Sequence, residues 1–234
     1  MKQKNCLIWG ASGQIGRNLI RKLTKNNFRV TAVTRNSHKN GYILKTQANP
    51  GFLDIVETNI FDTEKINQLT RKADLVINLI GILYEENKFN SFENIHVKFP
   101  YILSKYCRDN NVEQLIHLSA LGVEKAIDSK YAKSKLDGES ALKKNFEKTT
   151  IIRPSVVFSV DDNFTTQFMT MLNILPFFPL YYKGQTKFQP IFCSDLTNII
   201  FEIIIKKISA EIIECAGPEI LTFENIIKEL LKLI

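Results

Sequence analysis

The stretch Gly10-Ala11-Ser12-Gly13-Gln14-Ile15-Gly16 constrains this chain most, because an apolar run over residues 6–9 enters it and an amphipathic run over residues 15–23 leaves it. The order predicted is strand, glycine turn, helix. Glycines belong there for physical reasons: one permits the tight turn, one lets the backbone approach a pyrophosphate, and one lets helix and strand pack closely. Phosphates then sit on the helix N-terminus, where free N–H groups point outward. Gly10, Ser12, Gly13, Gln14, Ile15 and Gly16 are the predicted phosphate cradle.

Residues 28–34 read as a second strand ending at Arg35. In a dinucleotide fold the residue about twenty positions past the glycines meets the adenosine ribose, and a carboxylate there holds the 2′-hydroxyl of NAD. Here it is Arg35, with His38 and Lys39 close behind. A guanidinium suits a 2′-phosphate, so NADP(H) is expected ahead of NAD(H); the competing reading is a solvated basic loop. Residues 40–51 form a polar connection punctuated by Gly41, Pro50 and Gly51, and residues 52–60 supply a third strand. Asp62 follows, placed to touch an adenine ring, to cap a helix over residues 63–72, or to do both.

Residues 75–81 are apolar enough for a buried parallel strand, and Asn78 and Gly81 are candidate cofactor contacts on the nicotinamide side. A long helix over residues 92–110 contains Pro100, a kink or a break. A fifth strand over residues 114–118 ends at Ser119, and a helix from Tyr131 to Asn145 carries Tyr131 and Lys135 at i and i+4 on one face. An ammonium within a few ångströms favours a phenolate, which brings proton transfer by Tyr131 nearer neutral pH, with Ser119 orienting a substrate oxygen. The same spacing recurs at Tyr84 and Lys88 and at Tyr101 and Lys105. Placement after the fifth strand, rather than spacing, selects Tyr131 and Lys135 over a solvated helix face.

A strand over residues 149–153 ends at Pro154-Ser155, beyond which the substrate side begins. Residues 163–175 read as helix. The run over residues 174–182 holds Pro176, Pro179, Phe177, Phe178, Tyr181 and Tyr182 and is far too short to span a bilayer. It suits a partner or membrane-interface contact, or packing over the nucleotide pocket. Ser194-Asp195 is expected to cap a helix over residues 196–207, followed by a strand over 211–215 and a last helix over 223–234. This alternation predicts an α/β chain: a Rossmann-like doubly wound parallel sheet over residues 1–153 with a small C-terminal lobe over 154–234.

With 234 residues, 44% of them hydrophobic, the chain can bury a full core. Its net charge of +7 is scattered over helices without a nucleic-acid motif, so a solvated basic surface is expected and nucleic acid is not. Cys6, Cys107, Cys193 and Cys215 lie far apart and read as buried, reduced thiols. His38, His96 and His117 lack metal-ligand spacing, so no metal is expected, and His117 reads as a satisfied core histidine. The N-terminus enters the first strand without a signal-peptide core, which predicts a cytoplasmic chain.

The GxxGxxG turn, Asn78-Leu79-Ile80-Gly81, Ser119, and Tyr131 with Lys135 resemble the short-chain dehydrogenase/reductase superfamily. More narrowly, Val76 to Gly81, Phe89 to Pro100, Tyr131-Ala132-Lys133-Ser134-Lys135 and Gln189-Pro190-Ile191 are similar to the nucleotide-binding accessory subunit of respiratory complex I and its bacterial relatives. That resemblance implies tight NADPH binding, a peripheral position on a membrane-bound respiratory complex at the inner face of the plasma membrane, and a role in assembly rather than turnover. It assigns Gly10, Gly13 and Gly16 to the pyrophosphate, Arg35 to the 2′-phosphate, and Ser119, Tyr131 and Lys135 to the nicotinamide ribose region. It also implies relatives that continue beyond the last helix. The intact Ser119, Tyr131 and Lys135 set suits an alternative, a catalytic NADPH-dependent reductase or a sugar-nucleotide epimerase or dehydratase. Pro154 completes the expected cofactor contacts.

Overall fold

A computed structural model describes residues 3–126, 128–175 and 177–234, with Asn163 described by its backbone alone. In chain order the elements are β1 Asn5–Trp9, α1 Gln14–Lys25, β2 Arg29–Thr34, α2 Ser37–Lys45, β3 Leu53–Glu57, α3 Thr63–Thr70 and β4 Leu75–Asn78. A π-helical turn, Glu93–Lys98, leads into α4 Phe99–Asp109, then β5 Gln114–Leu118, α5 Lys130–Asn145, β6 Thr149–Pro154, β7 Val157–Phe158 and α6 Asn163–Ile174. A 3-10 turn, Tyr181–Gly184, precedes β8 Lys187–Phe188, β9 Ile191–Phe192, α7 Cys193–Ile205, β10 Ile212–Cys215, β11 Leu221–Thr222 and α8 Phe223–Leu231.

The main sheet has seven strands in the order β10-β6-β5-β4-β1-β2-β3, and every pairing in it is parallel. The strands are apolar on both faces because both are covered. On one face Ile8, Val30, Ala32, Ile77 and Ile116 pack under Leu19 and Leu23 of α1 and Leu196 and Ile200 of α7. On the other, Leu7, Trp9, Val76 and Leu115 pack under Ile66 of α3, Phe99 and Leu103 of α4, and Leu142 of α5. The doubly wound parallel sheet is the one the alternation predicts.

Residues beyond Pro154 contribute to two places. β10 extends the main sheet beside β6, and α7 covers α1. A separate small cluster joins α6 to α8, with Phe168 packed edge-on against Phe164 at 5.0 Å and Phe223 at 5.3 Å between ring centroids. The aromatic run divides accordingly. Phe178 turns into this cluster, 5.8 Å from Phe168, whereas Phe177, Tyr181 and Tyr182 are exposed; Pro176 lies outside the described residues. No helix among the described residues is long and apolar enough to cross a membrane.

Three local expectations are corrected. The polar connection contains α2, whose first turn is closed by Asn36 accepting from the Lys39 N–H at 2.8 Å. The long helix is not broken at Pro100: it opens as a π turn that runs directly into α4, where Pro100 sits in the first turn and its missing N–H costs least. Ser194 and Asp195 do not cap α7; that helix starts at Cys193, after an uncapping Phe192, with Asp195 in its first turn. All four cysteines are buried free thiols, as expected.

Gly16 is required by packing. A Cβ on it would stand 2.5 Å from the Ala11 carbonyl oxygen, backbone that cannot yield. Gly16→Ala is therefore expected to cost roughly 2 kcal/mol, read as a lowered urea midpoint with unchanged slope.

Candidate functional site

Because the central strands are parallel, the residues that follow them share one edge of the sheet. Read along the strand order, Asp62, Arg35, Gly10, Gly81, Ser119 and Pro154 stand beyond or at the carboxyl ends of β3, β2, β1, β4, β5 and β6. The strand order reverses between β1 and β4, and a crevice opens at such a switch point. Gly10, with φ of 78°, turns the chain there, and a Cβ on it would lie 3.1 Å from the Leu79 carbonyl carbon and 3.2 Å from the Ile80 nitrogen. The two loops meet over bare backbone.

The first helix begins without help. Gly13 is its N-cap, no side chain accepts from its first turn, and that turn has no acidic residue. By contrast Asn36, Asp62, Ser129, Asp162 and Thr222 cap α2, α3, α5, α6 and α8. The orphan N–H groups of α1 therefore face the cradle with a positive dipole end. Gly13 is exposed, with an ordinary φ of −70°, and an added Cβ would meet only the Gly10 oxygen, at 3.4 Å. The space beside Gly13 is open to a close approach from outside the chain. The cradle fits a phosphate-bearing cofactor.

Not every predicted phosphate contact has a free side chain. Ile15 packs on the core, so only its N–H can serve a ligand. The Gln14 amide donates to the Val157 oxygen at 3.3 Å and accepts from the Ser159 hydroxyl at 2.7 Å. Arg17 bridges the Ser12 carbonyl to Asp161. Both side chains fasten the cradle to the segment after β7. Asp62 caps α3 through the Lys65 N–H at 2.9 Å, the role sequence reasoning gave it beside adenine contact.

Arg35 is exposed between β2 and α2, and among the described residues no carboxylate lies within ion-pair distance of it. Glu57, at the end of β3, accepts from both the N–H and the hydroxyl of Ser37, at 2.7 and 2.6 Å. That pair of bonds holds the Glu57 carboxyl below its usual range.

At the other end of the row, α5 brings Lys135 inward. Its Nζ is buried and donates to the Leu118 carbonyl at 3.2 Å, one residue from Ser119, and it stands 6.0 Å from the centre of the Tyr131 ring. An ammonium has three donors, and the Ser119 hydroxyl is buried with no partner. Both groups are left with unmet bonds facing the same strand end, as a ribose hydroxyl would require. Burial pulls the Lys135 pKa down to about 8, opposed in part by Glu139 one turn on. Glu139 in turn holds Arg153 of β6 in a bidentate pair, 2.8 and 3.0 Å, with both side chains buried, and Glu124 also reaches Arg153.

The Lys135 ammonium lies over the Tyr131 ring, 6.0 Å from its centre, and burial of the phenol pushes its pKa above the usual tyrosine range. His117 is half satisfied: its Nδ1 meets the Asn78 amide at 3.1 Å while Nε2 has no partner, and the Asn78 oxygen accepts from the Ile80 N–H. Sequence reasoning missed His96. Its Nε2 accepts from the Ile82 N–H at 3.1 Å and its Nδ1 lies 2.8 Å from the Ser134 hydroxyl. The available signal was Ser134, inside the Tyr131–Lys135 block.

The buried bases set a pH dependence. The folded chain holds Lys135 at about 8 and the unfolded chain near the ordinary 10.5. Between those values the unfolded state binds more protons at this residue, so the Lys135 contribution to stability rises with pH, by about 3 kcal/mol in total. The buried thiols of Cys6, Cys107, Cys193 and Cys215 are held above their ordinary range and act in the opposite direction above about pH 9. His96 and His117 are held below their ordinary range, so stability falls as pH drops below about 6.5. Urea midpoints are expected to show the acid arm directly, and the Lys135 arm as a difference between the chain and Lys135→Met that changes between about pH 8 and 10.5.

The model of the NAD dependent epimerase/dehydratase family matches residues 6–175. Among curated relatives, the Dictyostelium discoideum protein named NADH dehydrogenase (ubiquinone) 1 alpha subcomplex subunit 9, mitochondrial, is 30% identical over 93% of this chain and 60% of its own length. The Neurospora crassa NADH-ubiquinone oxidoreductase 40 kDa subunit, mitochondrial, is 26% identical over 94% of this chain and 57% of its own. The chain thus spans little more than half the length of these relatives. In fold it matches DesIV, a dTDP-glucose 4,6-dehydratase from Streptomyces venezuelae solved with NAD, at a TM-score of 0.82 and 18% identity, over 97% of this chain and 80% of that one. With a glycine cradle at the sheet's switch point and nearly three quarters of its length inside one family model, the chain belongs to the NAD dependent epimerase/dehydratase family.

Proposed function

We propose that this chain binds NADP(H) along the carboxyl edge of its sheet and serves as an accessory subunit that stabilises a respiratory NADH:quinone oxidoreductase. The observation that carries the reading is the likeness, across 93% of the chain, to a protein named as a subunit of such a complex. The cradle supports the ligand. Backbone N–H groups of Ser12 to Gly16 take the pyrophosphate, Asp62 borders the adenine, and Asn78, Gly81, Ser119, Tyr131, Lys135 and Pro154 surround the nicotinamide end. Arg35, with His38 and Lys39 behind it, takes the 2′-phosphate, which favours NADP(H) over NAD(H). When bound, NADPH supplies a hydride donor. Tyr131, held as a phenol, and Lys135, spent partly on the Leu118 carbonyl, serve to hold a ribose in place. The subunit works peripherally at the inner, cytoplasmic face of the membrane, with Phe177, Tyr181 and Tyr182 exposed for contact.

A second reading, a reductase or sugar-nucleotide epimerase, is favoured by the convergence of Lys135 and Ser119 at the end of β5. Tyr131→Phe separates the two. Loss of a measured NADPH oxidation on carbonyl or sugar-nucleotide substrates supports the enzyme; an unchanged cell and no turnover support the subunit.

Purification of the native membrane complex is expected to recover this chain, and a well-resolved complex lacking it sinks the proposal. Gly13→Ala is expected to lower the stability of the unliganded chain by no more than about 1 kcal/mol, the usual loss at an N-cap, while weakening NADPH binding at least about tenfold by calorimetry, because the methyl group enters the ligand's space. Arg35→Ala should weaken NADPH roughly tenfold and leave NADH unaffected, since one charge-assisted phosphate contact is removed.

A further inference from the structure

We propose that His96 is the positioning residue of this site: protonated on Nδ1, it ties the turn after β4 to the first turn of α5 and so sets where Tyr131 and Lys135 stand. The hydrogen-bond directions leave one arrangement. The Ile82 N–H can only donate, so the His96 Nε2 it meets at 3.1 Å must be bare. The ring proton is then on Nδ1 and goes to the Ser134 hydroxyl at 2.8 Å, whose own proton goes to the Tyr131 carbonyl at 2.7 Å. One chain of donors runs from the β4 turn to the backbone of Tyr131. This is the less common tautomer of a free imidazole, and the site imposes it through its partners.

Packing fixes the same ring. His96 stacks on Phe92 with centroids 5.2 Å apart and meets the Tyr131 ring edge-on at 5.6 Å. Its carbonyl presses on α5 so closely that a Cβ on Gly138 would fall 1.9 Å from that oxygen. Pro100, four residues on, has no N–H to claim the carbonyl, and the π turn around His96 is open where α5 arrives. On the far side, a Cβ on Gly81 would stand 3.1 Å from the Lys135 Nζ and 3.7 Å from the His96 Nε2. The turn, the imidazole and the ammonium therefore meet at one point. Changing the length or direction of the imidazole link moves the turn against Tyr131 and Lys135.

Nitrogen NMR of the unliganded chain is expected to find the His96 ring with Nδ1 protonated and Nε2 bare. His96→Phe keeps the aromatic stack and removes both bonds. It should speed exchange of the Ile82 amide at least about tenfold, leaving Val76 and Ile77 of β4 protected, a local pattern that general loosening does not produce. Resting on the proposed dinucleotide site, the same variant should weaken NADPH binding roughly tenfold. A ring protonated on Nε2, or a Phe variant with wild-type Ile82 exchange and affinity, overturns the proposal. If that variant fails to fold, Ser134→Ala removes the acceptor of the Nδ1 proton together with the hydroxyl's own bond to the Tyr131 carbonyl, and keeps the imidazole in place. Faster Ile82 exchange then supports the role, and unchanged exchange overturns it. A wild-type chain that ignores NADPH but shows the tautomer and exchange pattern counts against the dinucleotide and leaves the positioning of Tyr131 and Lys135 by His96 supported.

Discussion

The contact between Gly10 and the Leu79–Ile80 backbone is the constraint on which the rest of the structure depends. It sits where the strand order reverses, so the loop leaving β1 and the loop leaving β4 depart toward opposite faces of the sheet. A side chain at Gly10 would prise them apart. With the contact in place, α1 opens onto the crevice with bare N–H groups, and the β4 turn reaches His96 and Lys135. One left-handed residue thus sets both ends of the site, the anion cradle and the ribose side.

The polar interior on the α5 side is a linked set rather than a collection of separate buried charges. Lys135 faces Glu139, Glu139 grips Arg153, and Arg153 reaches the turn carrying Glu124 and the edge strand carrying Glu214. Buried ions of this kind contribute little net stability but are costly to break singly, so they favour one geometry over many. The strand β6, the Ser119 turn and helix α5 are locked together in this way. Such rigidity suits a site that holds a ligand.

Much of this was legible in the sequence because burial on both faces leaves an unmistakable mark. Strands such as β1 and β4 carry unbroken apolar runs, Cys6 to Trp9 and Leu75 to Ile77, and the glycine spacing announced the turn before α1. Other parts were hidden for physical reasons. Helix α2 carries Gly41 and weak apolar periodicity, and its start rests on Asn36, a residue equally at home in a loop. The π turn depends on a tertiary fit between the His96 carbonyl and Gly138, which no local pattern encodes. The spacing of Tyr131 and Lys135 put them on one face, but the acceptor of the ammonium is the Leu118 carbonyl, seventeen positions earlier, which no local pattern encodes. The role of His96 rests on partners fourteen and thirty-eight residues away.

The seventh strand carries a consequence for how the chain is made. β10 lies beside β6, yet it follows β6 only after β7, α6, β8, β9 and α7. During synthesis at ordinary ribosomal rates, β6 emerges on the order of several seconds before its outer neighbour exists. Its unpaired edge, Thr149 to Pro154, is an open template for wrong pairing throughout that interval. A chain built in this order exposes that edge after the residues of the glycine cradle have emerged and before β10 leaves the ribosome.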